Sequence, residues 1–410
     1  MVNKNHFSRL ASIYKLMVGN LISFIGDQIY IIAIPWIVYN ITGSITQMAT
    51  ITAIGKIPNM FQPISGVWVD RFNKKKLLLV CDALESILVC SMGFFYLWEK
   101  LELPYIYLIT IISGFLSQIY NSAKFSVIPL LAKEDDLHYV NSLDSGIYNM
   151  GILIGPSIGG LIISAFNPGY ALIINGVSFL GTLVAVLFTE ISEESIDKKA
   201  RHLKYLKEDL KMGFNFVFKT PSLLYTNTAL IFSSLGTTLF LTVMFFYLRS
   251  IVGLNASEVG VLLSIGGVGA ILGSLLTNHL IKYISHIKII ILGMLLGGSS
   301  IVIFGIARSY MMLVLSNALG TFAVSLINPC VTTIRQSVTP KYLLGRVQAT
   351  SRFITWILIP IAAYAAGVMS DFWGSSTTIV IGGIIQMTSS LILFKIVDLE
   401  IFKGDSSCEL

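Results

Sequence analysis

The chain has 410 residues, 54% of them apolar and 12% charged, and a mean hydropathy of +0.78. That mix is far from the composition of a soluble domain and excludes one as the main architecture. The net charge of +6 is spread in a way that reads as membrane orientation rather than as a nucleic-acid footprint.

At about 20 residues per crossing, the apolar runs predict an all-α membrane protein with twelve transmembrane helices. In the first half they fall near 16–40, 46–69, 76–98, 104–126, 139–165 and 169–189. The second half places them near 222–248, 257–281, 287–306, 310–334, 347–371 and 376–396. With the N-terminus inside, the cytoplasmic segments hold 24 of the 28 lysines and arginines. Only Lys100, Arg249 and Arg308 fall outside, and Lys56 lies within a span. Both termini are therefore expected in the cytoplasm. The first apolar stretch is too long for the core of a cleavable signal and reads as a retained helix.

Span one carries Gly26-Asp27 and Pro35-Trp36. Asp27 is about 12 residues in, roughly 18 Å along the helix, and Lys56 is about ten residues into span two, roughly 15 Å from the other face. Both depths are near mid-bilayer. Two readings stay open for Asp27: an ion pair with Lys56, or coupling to a proton or cationic cargo. The loop after span two reads Gly66-Val67-Trp68-Val69-Asp70-Arg71-Phe72-Asn73-Lys74-Lys75-Lys76. Gly66 permits close helix contact, Asp70 is suited to a facing helix N-terminus, and Arg71 to a neighbouring carboxylate. Asp82 and Glu85, three apart in span three, share a helix face. Asp144 enters span five near the cytoplasmic boundary.

Span five then reads Gly151-Ile152-Leu153-Ile154-Gly155-Pro156-Ser157-Ile158-Gly159-Gly160. A glycine costs an exposed helix about 1 kcal/mol and a proline about 3. Inside a bilayer the same residues let helices approach closely. The polar stretch 190–220 separates a first bundle, 1–189, from a second, 221–410. Within it Leu203, Leu206, Leu210 and Phe214 have the spacing of a short amphipathic helix. A shift of 207 residues superposes Gly66 on Gly273, Asn121 on Asn328 and Val140 on Val347, as weak parallel repeats would. The second half offers Ser234, Asn317, Asn328, Trp356 and Gln386 as substrate-path candidates among many Phe and Met residues.

Cys81, Cys90, Cys330 and Cys408 show no paired spacing, and the five histidines form no ligand cluster. No metal and no resident cofactor are expected. Gly55-Lys56 lacks the rest of a phosphate-binding loop. No nucleophile–base constellation recurs at one face, so the chain does not read as an enzyme.

The pattern G-x-x-x-G-P-x-x-G-G in span five resembles the antiporter motif of exporters in the major facilitator superfamily. Gly66 to Lys76 resembles that superfamily's loop 2–3 signature, with Asn73 in place of its second glycine and Lys74 in place of its arginine. Gly26-Asp27, Pro35-Trp36, Thr42-Gly43-Ser44, Asp82 and Leu344-Gly345-Arg346-Val347 extend the likeness to the drug:proton antiporters that include macrolide efflux proteins. The resemblance implies two six-helix bundles around a central cavity, in a bacterial cell membrane. It implies a latch of Gly66, Asp70, Arg71 and Lys74, braced by Asp82 and Asp144, that meets the helix start at Arg346. It further implies a monomer exporting a small amphipathic or apolar, antibiotic-like compound by proton antiport. An uptake carrier or uniporter of the same fold is the alternative. The chain departs from many drug exporters in one place: Ser113-Gly114 stands where they have an arginine in span four.

Overall fold

The computed structural model describes residues 2–61, 68–69, 72–131, 134–189, 191, 203–340 and 343–395. All regular structure among the described residues is helical. Hydrocarbon offers the backbone no hydrogen bonds, and a helix satisfies its own groups within one segment. Among the described residues, eleven helical stretches are long and apolar enough to cross a membrane.

The chain divides into two compact units. Met1–Gln47, Ile54–Ala200 and Gly253–Ser264 form the first, and Met48–Ala53, Arg201–Val252 and Ile265–Leu410 the second. The first contains α1 (Val2–Thr42), the two ends of α2 (Ile45–Lys56) with its 3-10 turn Ile57–Phe61, and α3 (Lys74–Leu97). It continues with α4 (Leu103–Leu131), α5 (Glu134–Ala165) and α6 (Pro168–Leu187). The second holds α7 (Leu203–Lys219), α8 (Pro221–Phe246) with a π-helical turn Tyr247–Ile251, and the later part of α9 (Ala256–Leu280). Its remaining helices are α10 (His286–Ile306), α11 (Tyr310–Val338), α12 (Leu344–Trp356), α13 (Ile359–Trp373) and α14 (Ser375–Ser389).

Side-chain caps start many of these helices. Asn73 accepts from the Lys76 N–H at 2.8 Å to open α3, and Asn167 from the Gly169 N–H at 2.9 Å to open α6. Asn255 and Glu258 form a reciprocal capping box at α9, with bonds of 2.8 and 2.9 Å. Each cap satisfies helix N–H groups that lack an internal partner. Gly43, at φ +60°, turns the chain out of α1 and into α2, a conformation other residues adopt at a cost.

Two predicted spans differ from the structure. Span two is α2 and a 3-10 turn, with residues 62–67 outside the described set. Pro58 lies in that turn, where a Cβ on Gly114 would come within 2.6 Å of its ring. Span eleven is broken between α12 and α13. Pro360 at the start of α13 has no N–H, and its ring clashes with the carbonyl four residues back, that of Trp356. The amphipathic segment after residue 200 does form a helix, α7. It lies against α12, where a Cβ on Gly213 would come within 3.0 Å of the Arg346 carbonyl and Phe214 meets Phe353 edge-on at 6.1 Å.

Candidate functional site

The first unit encloses a cavity of 570 Å³ lined by α1, α3, α4, α5 and α6. Asp27 reaches it from α1, and Asp82 and Glu85 from successive turns of α3. Lys124 and Asp144 form its only described ion pair, at 2.8 Å between α4 and α5. Phe24, Tyr30, Tyr148 and Phe179 supply apolar wall. Asp82 is only 2% exposed, and its Oδ2 has no hydrogen-bond partner within the protein. Asn20, 6% exposed, accepts from the Tyr120 hydroxyl at 2.7 Å through Oδ1, while its Nδ2 is likewise unmatched.

Lys56 does not join this group. Gly55 lines the cavity, but the Lys56 side chain is exposed at the end of α2 and makes no ion pair with Asp27. Equal depth in the membrane is not shared direction around the helix, and that is why the expected pair fails. The cation inside the cavity is Lys124, near the cytoplasmic end of predicted span four. Its signal was present: the apolar run from Phe125 to Leu131 extends α4 past it. Ser113, at the place of the missing span-four arginine, is a cavity residue.

The glycine motif of α5 has two working faces. A Cβ on Gly151 would strike the ring of Phe24, one on Gly155 the side chain of Gln28, and one on Gly159 the backbone of Ile29 at 3.0 Å. These three glycines, four apart, form the ridge that seats α1. Pro156 and Gly160 point elsewhere, onto the start of α9. There Gly260 lies under the Pro156 carbonyl, and a Cβ on Gly160 would come within 3.1 Å of the Gly260 Cα. Ser157 reinforces the seam, its hydroxyl 2.7 Å and its N–H 3.1 Å from Ser264 Oγ. The motif thereby sets the position of Phe24 and of the backbone beside Asp27. On its other side α1 is pressed to α6 at Gly26, where a Cβ would lie 2.5 Å from Asn175 Oδ1.

Of the latch, Gly66, Asp70 and Arg71 lie outside the described residues. Lys74 is the first residue of α3. Its neighbour Lys75 donates to the Leu187 and Thr189 carbonyls at 3.1 and 2.8 Å, and so caps the end of α6. Asp82 and Asp144 line the cavity with Asp27. Arg346, in the second unit, lies 3.8 Å from the Met212 sulfur on α7.

The second unit's candidates are scattered. Gln386 is buried and accepts from Thr237 at 3.0 Å, and Asn317 is buried against Gly266. Trp356 lies beneath the Arg352 guanidinium at 5.9 Å, Ser234 accepts from Thr238 through its carbonyl, and Asn328 is exposed. Sequence reasoning missed Arg335. It is buried within α11, donating to Asn227 at 3.0 Å and Gln348 at 3.3 Å, and Asn227 in turn donates to Ser351 at 3.1 Å. Asn227, a polar residue inside an apolar span, was the available signal.

Similarity to known proteins agrees with this architecture. The family profile described as Major Facilitator Superfamily matches residues 16–358 and 226–401. The chain is 21% identical over 365 residues to the multidrug efflux pump Tap of Mycolicibacterium fortuitum, covering 86% of this chain and 88% of that protein. It is 23% identical over 338 residues to the enterobactin exporter EntS of Escherichia coli, covering 81% and 79%. In three dimensions it resembles a bacterial homologue of the iron transporter ferroportin, solved inward-facing, with a TM-score of 0.74 at 16% identity over 93% of this chain and 99% of that one. By the extent of that profile and by its helical architecture, the chain is a multi-pass membrane protein that belongs to the major facilitator superfamily.

Proposed function

We propose that the chain is a secondary active exporter of a small amphipathic or apolar, drug-like compound, working by alternating access and proton antiport. Export fits the relatives named as an efflux pump and an exporter. The observation that carries the reading is the coupling of the α5 motif to the acidic cavity. Gly155 and Gly159 seat the stretch of α1 that bears Asp27, so movement along that seam moves a carboxyl group lining the cavity. Intramembrane carboxyl groups are the usual carriers of protons through a span, and they are costly enough to imply use. Asp27 is the proposed coupling group.

The reading extends to a monomer in a bacterial cell membrane, with both termini cytoplasmic and no resident cofactor, metal or catalytic step. The test is flux of a compound panel in proteoliposomes of known orientation, under separately imposed pH and sodium gradients. Outward pumping driven by a pH difference, and lost in Asp27→Asn, supports proton antiport. Accumulation in the uptake direction, or pumping by sodium alone, rejects it.

A further inference from the structure

Charge in the spans of the second unit is basic. From Lys211 to Val397 the sequence has two acids, Glu258 and Asp371. Glu258 belongs to the first unit, where it caps α9. Asp371 follows Arg352 by 19 residues on span eleven, roughly 28 Å further along. Arg352 is exposed on α12, within the stretch Leu344–Trp373 that is apolar enough to cross a membrane and about 12 Å from its start. Among the described residues its guanidinium makes no ion pair or hydrogen bond. A long basic side chain in a span ordinarily reaches back to the interface. This one turns the other way and lies 5.9 Å from the centre of the Trp356 ring, one turn deeper. A second observation concerns its neighbours. Gln348, one turn before Arg352, accepts from the Arg335 guanidinium at 3.3 Å through Oε1. That bond fixes the amide and leaves Nε2, which has no acceptor among the described residues. Trp356 Nε1 likewise has none. Gln348, Arg352 and Trp356 are each four residues from the next and so share one stripe of α12. That stripe presents N–H donors and a positive charge, and its one side-chain acceptor is already taken.

We infer that this stripe holds an anion: the carboxylate, sulfonate or phosphate of an amphipathic molecule whose apolar body lies against Trp356. Arg352 supplies the counter-charge and Gln348 Nε2 a further donor. Naming that molecule as cargo rests on the exporter reading; an anionic lipid headgroup has the same chemistry. The paired N–H groups of a planar guanidinium match two oxygens of a carboxylate or phosphate, which gives direction as well as charge. A basic residue this far into a span is costly, and such residues ordinarily mark a partner or a path for one. A cationic molecule would meet Arg352, with Arg335 behind Gln348, and no free side-chain acceptor on the stripe.

The test uses the full chain in nanodiscs of phosphatidylcholine and two dyes that share a xanthene body, anionic fluorescein and cationic rhodamine 6G. Fluorescence anisotropy should show saturable fluorescein binding that weakens about tenfold in Arg352→Gln, or about 1.4 kcal/mol, while rhodamine 6G is unchanged. Gln348→Glu keeps an acceptor for Arg335 and puts an anionic oxygen where the free donor was. It should weaken fluorescein at least as much. Should either variant fail to fold, the other decides. No saturable binding of fluorescein to the parent, binding untouched by a folded variant, or equal loss of both dyes overturns the assignment. Adding phosphatidylglycerol to the nanodisc separates the two sources of the anion. A lipid occupant displaces fluorescein and stays with the parent, but not with Arg352→Gln, through detergent extraction; a cargo site keeps its fluorescein. Flux distinguishes this assignment from the exporter reading. Arg352-dependent binding with no vectorial movement of any panel compound sinks export and leaves the anion site standing. Pumping driven by a pH difference, with fluorescein bound equally by the parent and Arg352→Gln, sustains export and sinks the anion site.

Discussion

In the first unit, Asp27, Asp82 and Glu85 line a cavity and make no ion pair among the described residues, and Asn20 Nδ2 is buried without an acceptor. In the second, Arg335, Asn227, Gln348 and Ser351 are bonded to one another, with Nε alone of the Arg335 guanidinium buried without a partner, and Thr237 bonds Gln386. Both interiors are walled by apolar helices, and both contain polar groups that lipid would not tolerate alone. The difference lies in where the hydrogen bonds go. A network whose members bond one another across helices rigidifies the helices that carry it. A network left open is available to a ligand or a proton. In the second unit these bonds tie α8, α11 and α12 to one another.

Substitutions on the two sides should fail in different ways. The largest effect is expected at the seam that positions the open side. Gly155→Leu drives a side chain into Gln28 of α1, and overpacking of this kind costs about 1–3 kcal/mol through displaced backbone. Flux in proteoliposomes should be abolished while membrane insertion persists; normal flux would detach the motif from transport. Next is the bonded network. Arg335→Met leaves the Asn227 and Gln348 acceptors without a donor, at about 1.5–3 kcal/mol for bonds to a charged group. Detergent-phase unfolding should register that loss. A drop as large in the cavity variant Asp27→Asn, or none in Arg335→Met, would erase the contrast between the units.

A smaller effect belongs to Lys124 and Asp144, which are 20% and 34% exposed. A double-mutant cycle with Lys124→Met and Asp144→Asn should give a coupling of up to about 1 kcal/mol, as for pairs near solvent. A coupling several times larger would show this pair to be part of the bonded scaffold rather than the cavity rim. The smallest is Lys56→Met. With Lys56 exposed and unpaired to Asp27, stability should stay within about 0.5 kcal/mol of the parent. Rescue of Asp27→Asn by Lys56→Met would restore the ion pair that the structure does not show.

Much of this was readable before any coordinates. Asp27 was marked by its depth in an apolar run and Glu85 by sharing a helix face with Asp82, and both line the cavity. The motif at Gly151 to Gly160 was marked by glycines that a helix would not otherwise carry. Prolines were less instructive. Pro35, Pro156 and Pro329 lie inside continuous helices, whereas Pro360 breaks span eleven. The same missing N–H is present at all four, so the local rule does not separate them, and neighbouring helices decide whether the freed carbonyl is tolerated.

The sequence by itself determined the helical membrane architecture and the family, because apolar run length, small-residue spacing and charge placement are local properties of the chain. It also marked carboxyl groups that line the cavity, since an acid within a span is conspicuous whatever surrounds it. Only the tertiary structure decided which of them meet. Depth follows from counting residues, but the direction a side chain takes around its helix is set by packing against the neighbours. That is why Asp27 shares a cavity with Asp82 rather than a bond with Lys56, why Lys124 finds Asp144, and why Arg335 turns inward to Asn227.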